Sequence, residues 1–423
     1  MFILYDLIFI ISALIYLPIY LFRRKFHQGF LARLGFLPLD LKLNNPIWIH
    51  AVSVGEAMAI KELVKELKRV YPTKKFVIST VTPTGNKIAQ RLVQEGDFVT
   101  YLPLDFGLII RHTLNKIKPS LFIIAETEIW PNLITQLYRR KIPVILVNAR
   151  ISDRAFFGYR KIKLLLKSVL EKISLFCAQT DRDAQRFQAL GAPGEKVKVT
   201  GNMKFDVTDY TDSKKDYTDY RRKLALESKD RLLVAGSTHP GEEEMILGVY
   251  KDLLNDFPNL KLLLAPRHPE RAQEVANLIK QFNFEPLRIS LLDSANWEFT
   301  NSRTVFILDT VGQLINYYAI AEIVFVGGSL IKKGGHNILE PASQGKPILF
   351  GPYMFNFRDI IDLFLIHQAA ISVYNIEELK RKIKELLDSP TQAQKLGQLA
   401  KDLILSNTGA TKRNLELIRE LTP

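Results

Sequence analysis

Two doubly wound α/β domains with a cleft between them are the fold that this sequence predicts, on three observations. The chain has 423 residues, more than one ordinary core sustains. Short apolar runs alternate with amphipathic segments along most of its length, the pattern of parallel strands joined by crossover helices. The alternation lapses over the polar stretch 207–230 (VTDYTDSKKDYTDYRRKLALESKD) and then restarts.

In the first half the apolar runs are 47–52 (IWIHAV), 76–81 (FVISTV), 121–125 (LFIIA), 143–148 (PVILVN), 174–178 (SLFCA) and 196–200. Helical patterns such as 57–70 and 160–172 fall between them. The second half repeats the scheme with 231–236 (RLLVAG), 261–266 (KLLLAP), 304–308 (TVFIL), 322–327 and 347–350 (PILF). The expected divisions are an N-terminal segment 1–22, a first domain 23–206, a linker 207–230 and a second domain 231–423. Ligands of such sheets lie at the carboxyl ends of the strands.

Composition narrows the function classes. A chain that is 47% hydrophobic and 24% charged is globular. Its one cysteine, Cys177, excludes an internal disulfide framework and fits a reducing compartment. Within LFCA it reads as a buried strand thiol. The net charge of +14 asks for anionic partners. These are nucleic acid, anionic lipid or an acidic substrate; no basic run interleaved with aromatics and no nucleic-acid module is present, so a membrane surface is the stronger reading.

The N-terminus agrees with that reading. Residues 2–22 carry one charge, Asp6. As a helix rising about 1.5 Å per residue they span about 30 Å, enough for a bilayer. No Lys or Arg precedes them, while Arg23, Arg24, Lys25 and Arg33 follow. A secretory signal has the opposite order and a small-residue cleavage site. The positive-inside rule then keeps the body of the protein in the cytoplasm. Asp6 and Pro18 weaken a clean span, so a helix lying on the membrane or packed on the domain is the alternative.

Residues 325–352 (FVGGSLIKKGGHNILEPASQGKPILFGP) carry the strongest functional pattern. Glycines after a strand let backbone N–H groups approach a ligand, and a helix N-terminus behind them favours anions. Glu340, about one turn into that helix, suits a ribose hydroxyl pair rather than phosphate. The segment predicts a nucleotide-sugar site.

Other loops follow strands in the same way. In His50-Ala-Val-Ser-Val-Gly-Glu56 a helix begins at Ser53 or Gly55 and places Glu56 in its first turn. There a carboxylate is either a cap or a general base, and the loop alone does not decide. In Ala125-Glu126-Thr127-Glu128-Ile129-Trp130-Pro131-Asn132 two acidic residues beside Trp130 favour a site wall. Gly201-Asn202-Met203-Lys204-Phe205-Asp206 brings a cation to the end of the first domain, suited to an anionic leaving group. In the second domain Gly236-Ser237-Thr238-His239, Pro266-Arg267-His268-Pro269 and Asp309-Thr310-Val311-Gly312-Gln313 each follow a strand. Arg267 offers a fork for phosphate. The seven histidines show no metal-binding spacing, so hydrogen bonding near phosphate is the role expected of His239, His268 and His336.

Taken in order, HAVSVGE, ETEIWPN, NARISD, GNMKFD, PRHPER, DTVGQL and the 325–352 segment resemble the Kdo (3-deoxy-D-manno-octulosonic acid) transferases of lipopolysaccharide synthesis. The resemblance runs from the N-terminal segment to about Asp359. It implies a GT-B fold of two Rossmann-like domains, with the acceptor in the first and the nucleotide sugar in the second. It further implies inverting transfer from CMP-Kdo to a lipid A precursor (lipid IVA), no metal ion, no cofactor, and attachment to the cytoplasmic face of the inner membrane. By the same resemblance Glu56 is the catalytic base, and Glu126 and Lys204 support the transition state. Arg267 and His268, Val311 to Gln313, and the run Asn337, Ile338, Leu339 and Glu340 contact CMP. Gln313 stands where many members of the family carry Glu, so an acidic role at that position is not expected. From the residues alone, two other readings stay open. One is a GT-B transferase that uses a UDP-sugar on a lipid acceptor, the other a non-catalytic membrane-bound binder of nucleotide or anionic lipid.

Overall fold

Parallel strands need crossover connections, and in each half of this chain the crossovers run outward from a central strand in both directions. The computed structural model describes residues 5–7, 9, 11, 29–206, 217–292 and 303–421. The chain divides into two units: Met1–Val207 with Asn407–Pro423, and Thr208–Ser406.

Unit 1 contains β1 (Ile47–His50), β2 (Phe76–Thr80), β3 (Phe98–Tyr101), β4 (Leu121–Ala125), β5 (Val144–Ala149), β6 (Leu175–Ala178) and β7 (Val197–Val199). All are parallel, in the order β3-β2-β1-β4-β5-β6-β7. The winding reverses between β1 and β4. Successive side chains of a strand point to opposite faces, and both faces here are covered. Trp48, Phe122, Ile124 and Phe176 belong to one apolar cluster, and Ile47, Ile49, Ile123 and Cys177 to the other. Two covered faces explain why these strands read as continuous apolar runs rather than alternating ones.

Unit 2 repeats the plan with β8 (Arg231–Thr238), β9 (Leu260–Pro266), β10 (Glu285–Arg288), β11 (Thr304–Ile307), β12 (Ile323–Val326), β13 (Ile348–Phe350) and β14 (Ile371–Ser372). The order is β10-β11-β9-β8-β12-β13-β14, again parallel. Here the reversal falls between β8 and β12.

Three strands absent from the sequence reading, β3, β10 and β14, lie at sheet edges or in half-buried positions. Such strands lack the continuous apolar run that marks a central one. β10 reads Glu-Pro-Leu-Arg, and its proline is tolerated because the strand is an edge.

The C-terminus differs from the expected division. The helix Ala410–Leu421 packs on unit 1, with Ala410, Leu415 and Ile418 in the cluster that holds Ile49 and Cys177. Asp206 caps its start, accepting from Gly409 N at 2.6 Å and from Thr411 N. An amphipathic helix shows that it packs on a sheet but not on which, so the sequence leaves it with its neighbours in the second domain.

Of the predicted anchor 1–22, only residues 5–7, 9 and 11 are described. Asp6 accepts hydrogen bonds from Asn132 Nδ2 at 2.6 Å and Gly107 N at 3.3 Å. Phe9 stacks on Phe106 with ring centroids 6.1 Å apart. This part of the segment therefore packs on unit 1. Among the described residues no helix is long and apolar enough to cross a membrane, and the rest of the segment lies outside them. Residues 207–216 of the predicted linker also lie outside. After them the helix Thr218–Lys223 belongs to unit 2, where Tyr220 packs edge-on against Tyr317 at 5.4 Å.

Ile418 is fully buried, so Ile418→Ala should destabilise unit 1 by about 2–5 kcal/mol through lost burial and the cavity left behind. Chemical denaturation followed at the buried Trp48 checks this. An unchanged midpoint would place the helix outside the unit 1 core.

Candidate active site

In unit 1 the loops that leave β1 and β4 flank the point where the winding reverses, the usual ligand position in such sheets. The β1 loop carries Glu56 in the first turn of the helix Val54–Ala59. Its carboxylate accepts from Val52 N at 2.5 Å and Ser53 Oγ at 3.1 Å. The capping role is thus real, with the glutamate as the cap and Ser53 as donor. Burial pushes its pKa up to about 6, and the negative charge of Glu126 adds to that. Glu128, two residues beyond Glu126, is pushed up to about 7 by burial and by the charges of Glu56 and Glu126. Lys204 works the other way on Glu56.

Glu126 follows β4 directly, in the left-handed region at φ 58°. Lys204 Nζ reaches Oε1 and Arg150 Nε reaches Oε2, each at 3.0 Å. Glu126 and Lys204, 78 residues apart, are thus brought together. Arg150, the last residue of the NAR run, is a partner that the sequence reading did not single out. Asn148 is a second omission. It sits at φ 53° where the β5–β6 register shifts. Its Oδ1 accepts from Met203 N at 2.9 Å, which fixes the turn Met203–Asp206 that presents Lys204.

In unit 2 the reversal lies between β8 and β12, and the two loops there carry His239 and His336. Their Nε2 atoms are 2.9 Å apart and their rings are stacked at 5.1 Å. Burial and the nearby Arg267 hold the His336 imidazole down, at about 3. Burial also lowers His239, followed by the charges of His268 and Lys333. With both imidazoles held down, an Nε2–H of one ring can donate to the Nε2 of the other. The His268 ring lies 6.1 Å from that of His239. Arg267 and His268 are exposed on the β9 loop, where Arg267 N donates to Thr238 O at 2.9 Å.

Asn337 Oδ1 accepts from Leu339 N at 3.0 Å, and Asn337 Nδ2 lies 3.4 Å from Glu340 Oε1. Ile338 and Leu339 are buried beneath. Val311 and Gly312 form an exposed turn after β11, with Gly312 at φ 85°, and Gln313 precedes the helix Leu314–Ile320. Asp309, at the head of that turn, is taken up by Arg288 Nε at 2.8 Å and Ser290 N at 2.9 Å.

The expected use of the glycines is corrected in part. The N–H groups of Gly328, Ser329 and Leu330 do not face outward as donors. They bond to the buried carboxylate of Glu242 at 2.6, 3.0 and 3.0 Å. Gly327 serves a backbone contact, because a Cβ there would lie 2.6 Å from Ser237 O and 2.7 Å from Thr238 Cα. Its lack of a side chain lets the ends of β8 and β12 close on each other.

Comparison with known proteins now separates one transferase from another. A family model described as 3-Deoxy-D-manno-octulosonic-acid transferase (kdotransferase) matches residues 28–207, and one described as Glycosyl transferases group 1 matches 292–403. A 3-deoxy-D-manno-octulosonic acid transferase of Haemophilus influenzae is 40% identical over 88% of this chain and 86% of its own length. The chain belongs to the Kdo transferase family. A 3-deoxy-D-manno-octulosonic acid transferase of Rickettsia felis is 34% identical over 85% of this chain and 75% of its own. Among solved structures, a UDP-GlcNAc 2-epimerase from Neisseria meningitidis has a TM-score of 0.57 at 14% identity. That likeness covers 89% of this chain and all of the other, and it speaks for the fold alone. A Kdo transferase is a glycosyltransferase enzyme, and the two Rossmann-like units are those of the GT-B fold.

For this Kdo transferase, Lys204→Met should move the Glu56 titration midpoint upward from about 6, since it removes a positive charge that favours the carboxylate. NMR of the glutamate side-chain carboxyl carbons reads it directly. A midpoint that stays put means that Lys204 does not act on Glu56.

Proposed function

We propose that this enzyme transfers Kdo from CMP-Kdo to a lipid A precursor, lipid IVA, with inversion, without a metal ion, and with Glu56 as general base. One observation carries the reading: Glu56 and Glu126 lie on the two loops that flank the reversal point of unit 1, and the turn Met203–Asp206 brings Lys204 to Glu126. Glu56 has no cation within hydrogen-bond distance among the described residues, and burial raises its basicity toward neutral pH. A base of that strength is suited to a sugar hydroxyl.

In the proposed step Glu56 takes the proton as the acceptor oxygen bonds to the anomeric carbon of Kdo. The bond from that carbon to the CMP phosphate oxygen breaks on the opposite face, and the electron pair leaves with CMP. Lys204, held by Glu126, supplies positive charge on the unit 1 side. In unit 2 Arg267 and His268 are the phosphate partners, the turn Val311–Gln313 borders the cytidine, and Asn337–Glu340 meet the ribose. In this reading the developing charge is handled by protein cations and dipoles.

A cytoplasmic-face membrane surface is the proposed location. The net charge of +14 supports it, as do exposed apolar residues set among cations. Phe157, Ile162, Leu164 and Leu165 are exposed on the helices Asp153–Lys161 and Lys163–Leu170 and the residue between them, beside Arg160, Lys161, Lys163 and Lys167. Such a surface suits anionic head groups over an apolar layer.

Incubation with CMP-Kdo generated in situ and tetraacyl lipid A precursor, in EDTA, should give product masses raised by whole Kdo units. Absence of product from protein that binds CMP would overturn the acceptor assignment. Glu56→Gln should cut turnover by about 10²–10⁴-fold while CMP affinity stays near that of the unsubstituted protein. The rate should rise as pH passes through about 6 and level off above it, because Glu56 acts only when deprotonated. A profile without that inflection would remove Glu56 as the base.

A further inference from the structure

Glu242 begins the helix Glu242–Leu253 with its side chain fully buried. A lone carboxylate in that setting is costly unless donors surround it. Four backbone N–H groups do so: His239 at 3.1 Å on the β8 loop, and Gly328, Ser329 and Leu330 on the β12 loop. Successive N–H groups turned toward one point form an anion-binding nest, and here the protein fills the nest with its own carboxylate. The turn is fixed from the other side as well, since Ser329 Oγ accepts from Gly351 N at 2.8 Å and donates to Val326 O. Gly335 N donates to Gly328 O at 2.8 Å, which ties His336 to the same turn. One carboxylate thus sets the backbone on both sides of the His239–His336 pair.

The next residue extends the arrangement. Glu243, also buried, accepts from Thr238 Oγ1 at 3.0 Å and Arg271 Nη1 at 2.8 Å. It thereby joins the end of β8 to the loop after β9, which carries Arg267 and His268.

We propose that Glu242 is the positioning residue of the donor-binding loops. By occupying the nest it closes the glycine turn to the donor's phosphate and leaves that charge to the side chains of the adjoining loop, Arg267 and His268. The inference rests on the CMP-Kdo reading of unit 2. In Glu242→Gln the amide Nε2 cannot accept, so either His239 N and Gly328 N or Ser329 N and Leu330 N lose their acceptor, and the turn and the histidine pair lose their register.

Calorimetry with CMP itself, well below the melting temperature, is the test. Glu242→Gln should bind CMP about tenfold more weakly or worse, with a raised KM for CMP-Kdo and an unchanged KM for the lipid acceptor. Glu242→Asp keeps the charge but shortens its reach. It should show a smaller loss, and it serves the same test should the glutamine variant not fold. A purely structural glutamate would lower the melting temperature and leave CMP affinity intact, which would overturn the inference. Tighter CMP binding would also overturn it, because the freed nest would then be taking the phosphate. Absence of CMP binding by the unsubstituted protein would overturn the nucleotide reading itself, and the inference with it.

Discussion

A carboxylate taken out of water must be met by donors, and both units are organised around that requirement at the point where their winding reverses. In unit 1 the carboxylate is Glu126, gripped by Lys204 and Arg150 from two later segments of the chain. In unit 2 it is Glu242, gripped by backbone N–H groups from the β8 and β12 loops. The two solutions differ in what they leave exposed. Side-chain cations keep a partly exposed ion pair beside Glu56. Backbone donors swallow the charge whole, so that unit 2 turns a positive face outward through Arg267 and its neighbours.

The same places hold backbone that an L-residue adopts reluctantly. Glu126, Asn148 and Ser237 all have φ between 53° and 58°. For a non-glycine residue that region costs on the order of 1–2 kcal/mol, and less for asparagine. Asn148 and Ser237 coincide with register shifts in β5–β6 and β8–β9, where a bulge redirects the chain. Such conformations persist only where the surroundings fix them. The two ion pairs of Glu126 and the Asn148–Met203 bond are those surroundings in unit 1.

Much of this was legible in the sequence because burial on both sheet faces writes itself as unbroken apolar runs. The central strands, from IWIH to ILF, are of that kind. So were the loops, since a carboxylate or cation placed directly after such a run is not there for packing. Glu242 and Glu243 escaped notice for a physical reason. Acidic residues in a helix's first turn are ordinary on an exposed surface, where the dipole favours them. Only the tertiary fold reveals that these two point inward. Arg150 and Asn148 are of the same kind, because their partners lie 24 and 55 residues away. Asp6 shows the converse. The charge that weakened the case for a clean span has its hydrogen-bond partners in unit 1.

The unit 1 carboxylates differ in their partners more than in their positions. Glu126 has each oxygen matched by a cation, so its charge is already spent on holding Lys204 and Arg150 in place. Glu56, bonded to a backbone N–H and a hydroxyl, has its basicity raised by burial and by the charge of Glu126. Glu128, with burial and two negative neighbours acting on it, titrates higher still at about 7. Lys204 links these effects, because it anchors to Glu126 while its field reaches Glu56 and restrains the rise.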